Sequence, residues 1–320
     1  MQDSDRAPAA PQRAEAAAAL AQRIAANIAC AVRVAPQTLD HLLVALLAEG
    51  HVLVEDLPGV GKTALARALS RSIDCQFARV QGTSDLLPGD VVGTNVYDQR
   101  EGRFEFRPGP VFANIVLFDE INRASPKTQS GLLECMQERH VTVDVQTHEL
   151  ARPFLVLATQ NPVEYEGTYP LPEAQVDRFM IKISLGYPDA RAEAGMLADH
   201  GAGDKVLALS PVATAAEVLA AQDAATRVIA TPALHDYLVK LLWRTREDPR
   251  VELGASPRAG LLLLRAAKAN AMMGGRDHVL PDDVQALAGP VLAHRLVMAP
   301  EHSGGAGEAV DAAVASVAAL

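Results

Sequence analysis

The sequence predicts an α/β fold in which a parallel sheet is flanked by helices and followed by a smaller, all-helical domain. Between residues 13 and 186, short apolar runs typical of buried strands alternate with helical patterns. From residue 187 to residue 300 the strand pattern does not recur, and helical patterns dominate. A chain of 320 residues, 49% of them hydrophobic, is long enough and apolar enough to build both cores.

Charge and composition exclude several classes of function. The formal net charge of −10 disfavours a non-specific nucleic-acid or anionic-membrane surface, which requires clustered Lys and Arg. The first residues lack the basic start and apolar run of a signal peptide, and no apolar segment reaches the roughly 20 residues of a membrane span. Cys30, Cys75 and Cys135 show neither disulfide nor metal spacing. We therefore expect these cysteines to be small, buried hydrophobic side chains of a protein in a reducing compartment. The predicted location is cytoplasmic.

The N-terminal region is predicted to be helical after a short tail. Residues 1–12 are expected to form a mobile tail, and an amphipathic helix should follow over residues 13–34, where apolar residues recur four apart. Pro36 ends that pattern. A second helix is predicted over residues 37–49, directly before the first strand.

The stretch from His51 to Thr63 has the pattern of a phosphate-binding loop, although it is also compatible with an ordinary strand–turn–helix connection. A glycine-bearing turn would direct backbone N–H groups at an anion, Lys62 would contact the β- and γ-phosphates, and the Thr63 hydroxyl would ligate Mg²⁺. The strict pattern G-x-x-x-x-G-K-[ST] has Gly where this chain has Asp56. The predicted nucleotide-binding residues of this loop are Asp56, Leu57, Pro58, Gly59, Val60, Gly61, Lys62, Thr63 and Ala64.

Two irregular segments are predicted to form hairpins. Between residues 81 and 111 the strand–helix alternation stops, and apolar pairs flank a polar turn at residues 98–102. Long loops in compact domains are usually functional, so this insert is a candidate contact surface. Residues 140–150 alternate in the same way, after a helix predicted over residues 130–139.

Two strands end in residues suited to phosphate chemistry. The apolar run from residue 114 ends in Asp119 and Glu120, and ligands of open α/β sheets bind at the carboxyl ends of strands. Asp119 would hold Mg²⁺ through water, and Glu120 would orient and deprotonate the attacking water. Asn161 follows the next strand; it is either a turn residue before Pro162 or a sensor of the γ-phosphate and the water.

The rest of the chain predicts one more strand and then helices. A short helix over residues 171–179 carries Arg178 and leads to the last strand at 180–185. Arg258 follows Ser256, an N-cap residue, and Pro257. From these residues alone, Arg258 is interpreted as a solvated charge in a first helical turn. Residues 301–320 are expected to form a loosely held tail. The helices are predicted at residues 190–200, 215–229, 232–245, 257–273 and 281–295.

Taken together, these motifs resemble the MoxR-type ATPases of the AAA+ superfamily over nearly all of residues 13–300. The motifs are LVEDLPGVGKT (53–63), LFDEINRASPKTQSGLLECMQER (117–139), ATQNPVEYEGTYPLPEAQVDRF (158–179), GASPRAG (254–260) and PDDVQALAGPVLAHRL (281–296). The resemblance implies an ATP-binding core over residues 13–186 and a helical lid over residues 187–300. It also places the irregular segments as the helix-2 insert, within residues 82–110, and the hairpin before the first sensor.

The resemblance further implies roles for individual residues. Lys62 and Thr63 would form the first phosphate-binding motif, and Asp119 and Glu120 the second. Asn161 would be sensor one, Arg178 the finger that reaches the γ-phosphate of a neighbouring subunit, and Arg258 sensor two of the lid. The implied activity is Mg²⁺-dependent ATP hydrolysis by a homo-oligomer, commonly a hexameric ring, that remodels or activates a client protein, often one with a von Willebrand factor A domain.

Two other functions remain open from the sequence. One is a nucleotide-dependent protein-binding switch that hydrolyses slowly, which the presence of Glu120, Asn161 and both arginines disfavours. The other is a nucleic-acid motor that uses the same hairpins. The acidic balance disfavours the motor, because the insert offers only Arg100, Arg103 and Arg107 as cations.

Overall fold

The structure, a computed structural model, describes residues 10–56, 59–161, 167–187, 190, 193–194, 204–302 and 305–318. It divides into two compact units. The first, here called the sheet unit, comprises Ile24–Leu42 and His51–Ala215. The second, the lid unit, comprises Met1–Arg23, Leu43–Gly50 and Ala216–Leu320.

The elements follow one another in an order that matches the predicted alternation. Up to the last strand of the main sheet they are α1 (Ala10–Ala31), α2 (Pro36–Leu47), β1 (Val52–Glu55), α3 (Lys62–Ser72), β2 (Phe77–Gln81), α4 (Pro88–Val92), β3 (Gly93–Asp98), β4 (Arg103–Pro108), β5 (Ile115–Asp119), α5 (Pro126–Glu138), β6 (His140–Val143), β7 (Gln146–Glu149), β8 (Leu155–Gln160), α6 (Glu173–Val176) and β9 (Ile181–Ile183). They continue with α7 (Ala215–Thr226), α8 (Pro232–Glu247), β10 (Val251–Leu253), α9 (Pro257–Met273), α10 (Pro281–Leu292), β11 (Val297–Met298) and α11 (Ala306–Ser316).

The main sheet has five parallel strands in the order β2-β5-β8-β1-β9. The side chains of β5 are all buried, because a parallel strand in the middle of such a sheet is covered on both faces. The pairing register aligns the carboxyl ends of the strands. Glu55 lies opposite Gln160, and Gln81 lies opposite Asp119. The predicted α/β fold is confirmed.

A buried histidine joins three elements of the sheet unit. The His51 Nδ1 accepts the N–H of Val156 at 3.0 Å, so the Nε2 carries the proton and donates to the carbonyl oxygen of Met136 at 2.9 Å. The ring also contacts Phe154 edge to face. His51 therefore links the start of β1 to β8 and to α5, and it fixes where the phosphate-loop strand enters the sheet.

Both predicted hairpins are present, and they contact each other. Strands β3 and β4 pair antiparallel, as do β6 and β7. The Phe106 ring stacks on His148 with centroids 3.9 Å apart, and the Asn95 side chain donates to Asp144 at 2.6 Å. The short helix α4, which precedes the first hairpin, was not predicted, because five residues that include Pro88 and Gly89 carry no helical periodicity.

The lid unit differs from the all-helical expectation in two places. Strands β10 and β11 form a small antiparallel sheet, which the sequence hides because strands of three and two residues are too short to alternate. The expected loose tail after residue 300 contains α11, which packs against α8 and α10 and buries Ala309, Val310 and Ala313. Apolar residues at helical spacing therefore hold this segment in place.

The structure also differs from the sequence prediction in where the first helix begins and in the burial of one cysteine. Helix α1 begins at Ala10, inside the segment expected to be a mobile tail, and the helix expected over residues 190–200 lies mostly outside the described residues. Cys30 is exposed, against the expectation of burial. Burial raises the pKa of the Cys75 thiol to about 11 and that of Cys135 to about 12. Of the helices that the structure describes, none has the length and apolarity to cross a bilayer.

Candidate functional site

The loop after β1 has the backbone geometry of an anion cradle. Gly59 and Gly61 have φ values of 89° and 94°, in the left-handed region that favours glycine. A Cβ at either position would meet nothing within 4 Å, so backbone conformation and not lack of space requires glycine. Helix α3 begins at Lys62, directly after this turn, and the N-terminus of a helix directs backbone N–H groups towards an anion. Leu57 and Pro58 lie outside the described residues.

Asp56, at the position where the strict pattern has glycine, holds the start of this loop. Its carboxylate is buried and accepts hydrogen bonds from the Ser184 hydroxyl at 2.8 Å and from the N–H groups of Leu185 at 2.5 Å and Gly186 at 3.2 Å. Its carbonyl oxygen accepts from the Lys62 ammonium at 3.0 Å. The side chain predicted to bind nucleotide therefore contacts the segment after β9, and only its backbone contacts Lys62.

Asp119, the last residue of β5, is a buried carboxylate with partners on both oxygens. Arg79 Nε and Nη2 donate to its Oδ2 at 3.1 and 2.7 Å. The Thr159 hydroxyl donates to its Oδ1 at 2.8 Å. Both partners come from neighbouring strands, since β2 and β8 flank β5 in the sheet. Charge-assisted hydrogen bonds of this kind fix the orientation of the carboxylate.

Glu120 leaves the strand in a left-handed conformation, with φ 55° and ψ 53°. Its N–H donates to the Thr159 hydroxyl at 2.9 Å, and its carboxylate accepts from Arg123 at 3.1 Å. The side chain is 30% exposed, whereas that of Asp119 is 10% exposed. The two adjacent acids thus have different surroundings: one is fixed in the sheet, and the other can meet water.

Gly82 lies directly against the backbone of Asp119 and Glu120. The Gly82 N–H donates to the carbonyl oxygen of Asp119 at 2.7 Å. A Cβ at Gly82 would lie 2.2 Å from the carbonyl oxygen of Glu120, so any larger residue would displace this backbone. A glycine at the end of β2 is therefore required by close approach.

A second polar row lies at the same edge, across β8, β1 and β9. The Gln160 side chain donates to Glu55 at 2.7 Å, and Lys182 forms an ion pair with the other oxygen of Glu55 at 2.6 Å. Asn161, the predicted sensor, directly follows Gln160. At this edge the structure therefore has Asp119 and Glu55 at the ends of their strands, Asn161 directly after β8, and Lys182 in β9.

The two predicted arginines lie in different units. Arg178 follows α6 in the sheet unit, and its N–H donates to the Gln175 carbonyl at 3.1 Å. Arg258 is exposed in the first turn of α9 in the lid unit, where the Ser256 hydroxyl accepts the Ala259 N–H at 3.1 Å as the predicted N-cap. Their catalytic roles remain predictions.

Sequence reasoning missed three residues that build the site: Arg79, Thr159 and Gly82. Thr159 stands within a motif used for the resemblance, but only Asn161, two residues later, was interpreted as a site residue. Arg79 gave one signal, a charge in a short strand two residues before its end. Gly82 follows that strand, where glycine reads only as the start of a loop.

The residues at this edge fit Mg²⁺ bound together with a nucleotide. In the described part of the chain, no group of three or more His, Cys, Asp or Glu side chains is placed to hold a metal by itself. Mg²⁺ is usually held by one or two protein oxygens together with phosphates and water. The Thr63 hydroxyl and the Asp119 carboxylate are such oxygens, and the helix that carries Thr63, α3, packs against β5.

Two protein-family models match separate parts of this chain. Residues 51–181 match the ATPase family associated with various cellular activities (AAA), and residues 244–315 match the AAA lid domain. The chain is 51% identical over 259 residues to the protein YeaC of Bacillus subtilis, a match that covers 81% of each chain.

Two further relatives and one solved structure extend the match. The chain is 43% identical over 271 residues to chaperone MoxR1 of Mycobacterium tuberculosis, which covers 82% of this chain and 71% of that one. It is 36% identical over 290 residues to protein MoxR of Methylorubrum extorquens, which covers 81% and 82%. The crystal structure of a Cytophaga hutchinsonii protein described as a candidate ATPase also matches this chain. The TM-score is 0.89 and the sequence identity 36%, over 97% of both chains.

Proposed function

Because the chain belongs to the MoxR family of AAA+ ATPases, we propose that its phosphate loop and paired carboxylates form one Mg²⁺-dependent ATP hydrolysis site, and that turnover there remodels or activates a client protein. Family membership makes the chain a chaperone-like, ATP-hydrolysing enzyme. The assignment of steps to residues is the proposal.

The arrangement of the sheet edge carries this proposal. Lys62 and the N-terminus of α3 supply positive charge and N–H donors for the phosphates. Asp119, held by Arg79 and Thr159, and the Thr63 hydroxyl are the oxygens that would hold Mg²⁺, which supplies charge neutralisation on the β- and γ-phosphates when bound. Glu120, the more exposed of the two acids, orients water and accepts its proton.

Subunit assembly completes the proposed site. Arg178 lies two residues after the end of α6 and is partly exposed. We assign it to the γ-phosphate of an adjacent subunit, and we assign Arg258 to the phosphates as sensor two. This requires a homo-oligomer, and a hexameric ring is the form that we propose.

The client surface is assigned to the two hairpins. Tyr97 and Phe104 on the first hairpin are 52% and 69% exposed, and Val145 at the tip of the second is 93% exposed. Apolar side chains concentrated on a protruding element are typical of a protein-binding surface. A client with a von Willebrand factor A domain and a cytoplasmic location belong to the same proposal.

Two variants test the chemical assignment. We expect Lys62→Ala to lose ATP binding, and Glu120→Gln to retain binding but lose turnover by a factor of about 10² to 10⁴, the usual contribution of a general base. Equilibrium binding of a fluorescent ATP analogue and phosphate release measure the two effects separately. Unchanged turnover in Glu120→Gln would overturn the assignment of Glu120, and wild-type turnover of a few molecules per hour would support the slow switch.

A further inference from the structure

One buried hydroxyl contacts both acids of the proposed site. Thr159, the second-last residue of β8, is 1% exposed. Its Oγ1 donates to the Asp119 carboxylate at 2.8 Å and accepts the Glu120 N–H at 2.9 Å. The direction of each bond is fixed, because an ionised carboxylate can only accept and a backbone N–H can only donate. Thr and Ser offer a hydroxyl on a short side chain that can donate and accept at the same time.

The sheet register explains why this hydroxyl is in place. Phe118 of β5 lies opposite Ala158 of β8, so the next pair along the two strands is Asp119 and Thr159. Glu120 then turns out of the strand with φ 55°, a conformation that is unfavourable for a non-glycine residue and needs support from its surroundings. The bond from its N–H to Thr159 provides support on one side, and Gly82 encloses the backbone on the other.

We infer that Thr159 is a positioning residue for ATP hydrolysis: its hydroxyl sets the carboxylate of Asp119 and the backbone of Glu120 at the same time. The inference rests on the roles proposed for those two acids. It also means that this hydroxyl links β8, which leads to Asn161, to β5, which ends in Asp119. The side chains at the ends of the two strands are therefore held at a fixed distance from each other. A shift of Thr159 would displace both acids together, while Lys62 and the phosphate loop would keep their own contacts.

The expected consequence is a loss of turnover without a loss of ATP binding. Thr159→Val keeps the branched shape but leaves the Glu120 N–H and one Asp119 oxygen without this partner. Misplacement of catalytic groups by about 1 Å costs roughly 100-fold in rate. We expect kcat to fall about 10- to 100-fold, the ATP dissociation constant to change less than about threefold, and Thr159→Ser to restore most of the turnover because it retains the hydroxyl.

A matched control separates positioning from general destabilisation. Thr128 is also fully buried, and its hydroxyl donates to the Leu86 carbonyl at 2.7 Å and lies 3.0 Å from the Ser125 hydroxyl, so its partners do not include either acid. Thr128→Val should lower the unfolding temperature about as much as Thr159→Val but keep turnover within about twofold. All variants are compared as full chains, by fluorescent ATP-analogue binding, phosphate release and thermal unfolding. If Thr159→Val does not fold, Thr159→Cys, with a weak S–H donor, takes its place.

The outcomes are distinguishable from failure of the proposed function. Retained turnover in Glu120→Gln would remove the assignment of the acids themselves. If Glu120→Gln is inactive and Thr159→Val turns over at the wild-type rate, the inference about Thr159 alone is wrong. It is equally wrong if Thr159→Ser is as impaired as Thr159→Val, or if Thr128→Val loses the same turnover.

Discussion

The carboxyl edge of the sheet and the paired hairpins belong to the same unit but are built in opposite ways. At the edge, Asp56, Asp119 and Thr159 are buried, and each of their polar side chains has named hydrogen-bond partners. On the first hairpin, Tyr97 and Phe104 expose more than half of their surface and mainly contact each other, with ring centroids 5.3 Å apart.

This difference separates what must be rigid from what must adapt. Phosphoryl transfer needs groups held in one geometry, which buried and fully paired polar side chains provide. Recognition of a protein surface needs exposed apolar area whose side chains can adjust. The hairpins are nevertheless joined to each other by the stack of Phe106 on His148, so their exposed side chains are carried on a supported base.

The largest expected effect tests whether the edge is complete within one chain. Arg178→Ala should lower turnover by about 10³ to 10⁵, the contribution of an arginine finger in related phosphoryl transfers. If the finger acts in a neighbour, mixing Arg178→Ala with Lys62→Ala should restore phosphate release, because the first retains an intact phosphate loop and the second an intact finger.

The mixing experiment needs one control. Subunit exchange is checked with two fluorescent labels, and wild-type turnover per chain should rise with protein concentration until assembly saturates. No recovery at any mixing ratio, with exchange demonstrated, would mean that Arg178 acts within its own subunit or has no catalytic role.

An intermediate effect is expected from the anchor of the phosphate loop. Asp56→Ala removes an acceptor from the Ser184 hydroxyl and from two partly buried N–H groups, and a fully buried polar group left unpaired costs roughly 1 to 3 kcal/mol. We expect weaker ATP binding, by about 5- to 100-fold, and a lower free energy of unfolding. Asp236→Asn, an exposed acid of α8, serves as the control and should change neither quantity.

Asp56 also shows how far sequence reasoning reaches. Its place in the loop predicted a nucleotide contact, but its carboxylate partners lie 128 to 130 residues later in the chain. Arg79 and Thr159 are each 40 residues from Asp119. Local patterns predicted the strands of the main sheet, both hairpins and the two acids, since those signals lie within single segments. The pairing of side chains across strands depends on sheet order and register, which no single segment contains.

A smaller effect on the chemistry is expected from the hairpin. Replacing Tyr97 and Phe104 with Ser should keep basal ATP turnover within about twofold and change the free energy of unfolding by about 1 kcal/mol or less, since exposed positions contribute little. With ATP present, the Glu120→Gln chain is expected to retain client proteins from a lysate. Adding the two Ser substitutions to that chain should abolish this capture. Leu207→Ser, at an equally exposed apolar site, should capture the same clients as the unchanged hairpin.

The smallest expected effect is that of metal removal on the stability of the nucleotide-free chain, and it tests whether the edge is organised before any ligand binds. Asp119 has Arg79 and Thr159 as protein partners, so its position in the fold does not depend on a cation. We expect EDTA to leave the unfolding temperature of the nucleotide-free chain unchanged, while it abolishes both ATP turnover and the stabilisation that ATP with Mg²⁺ provides, because a ligand that binds only the folded chain raises its stability. Parallel melts of Asp119→Asn should show no added stabilisation from Mg²⁺ with ATP over ATP alone. A clear fall in the unfolding temperature on adding EDTA without nucleotide would mean that a metal, and not the pairing with Arg79 and Thr159, holds this edge in place.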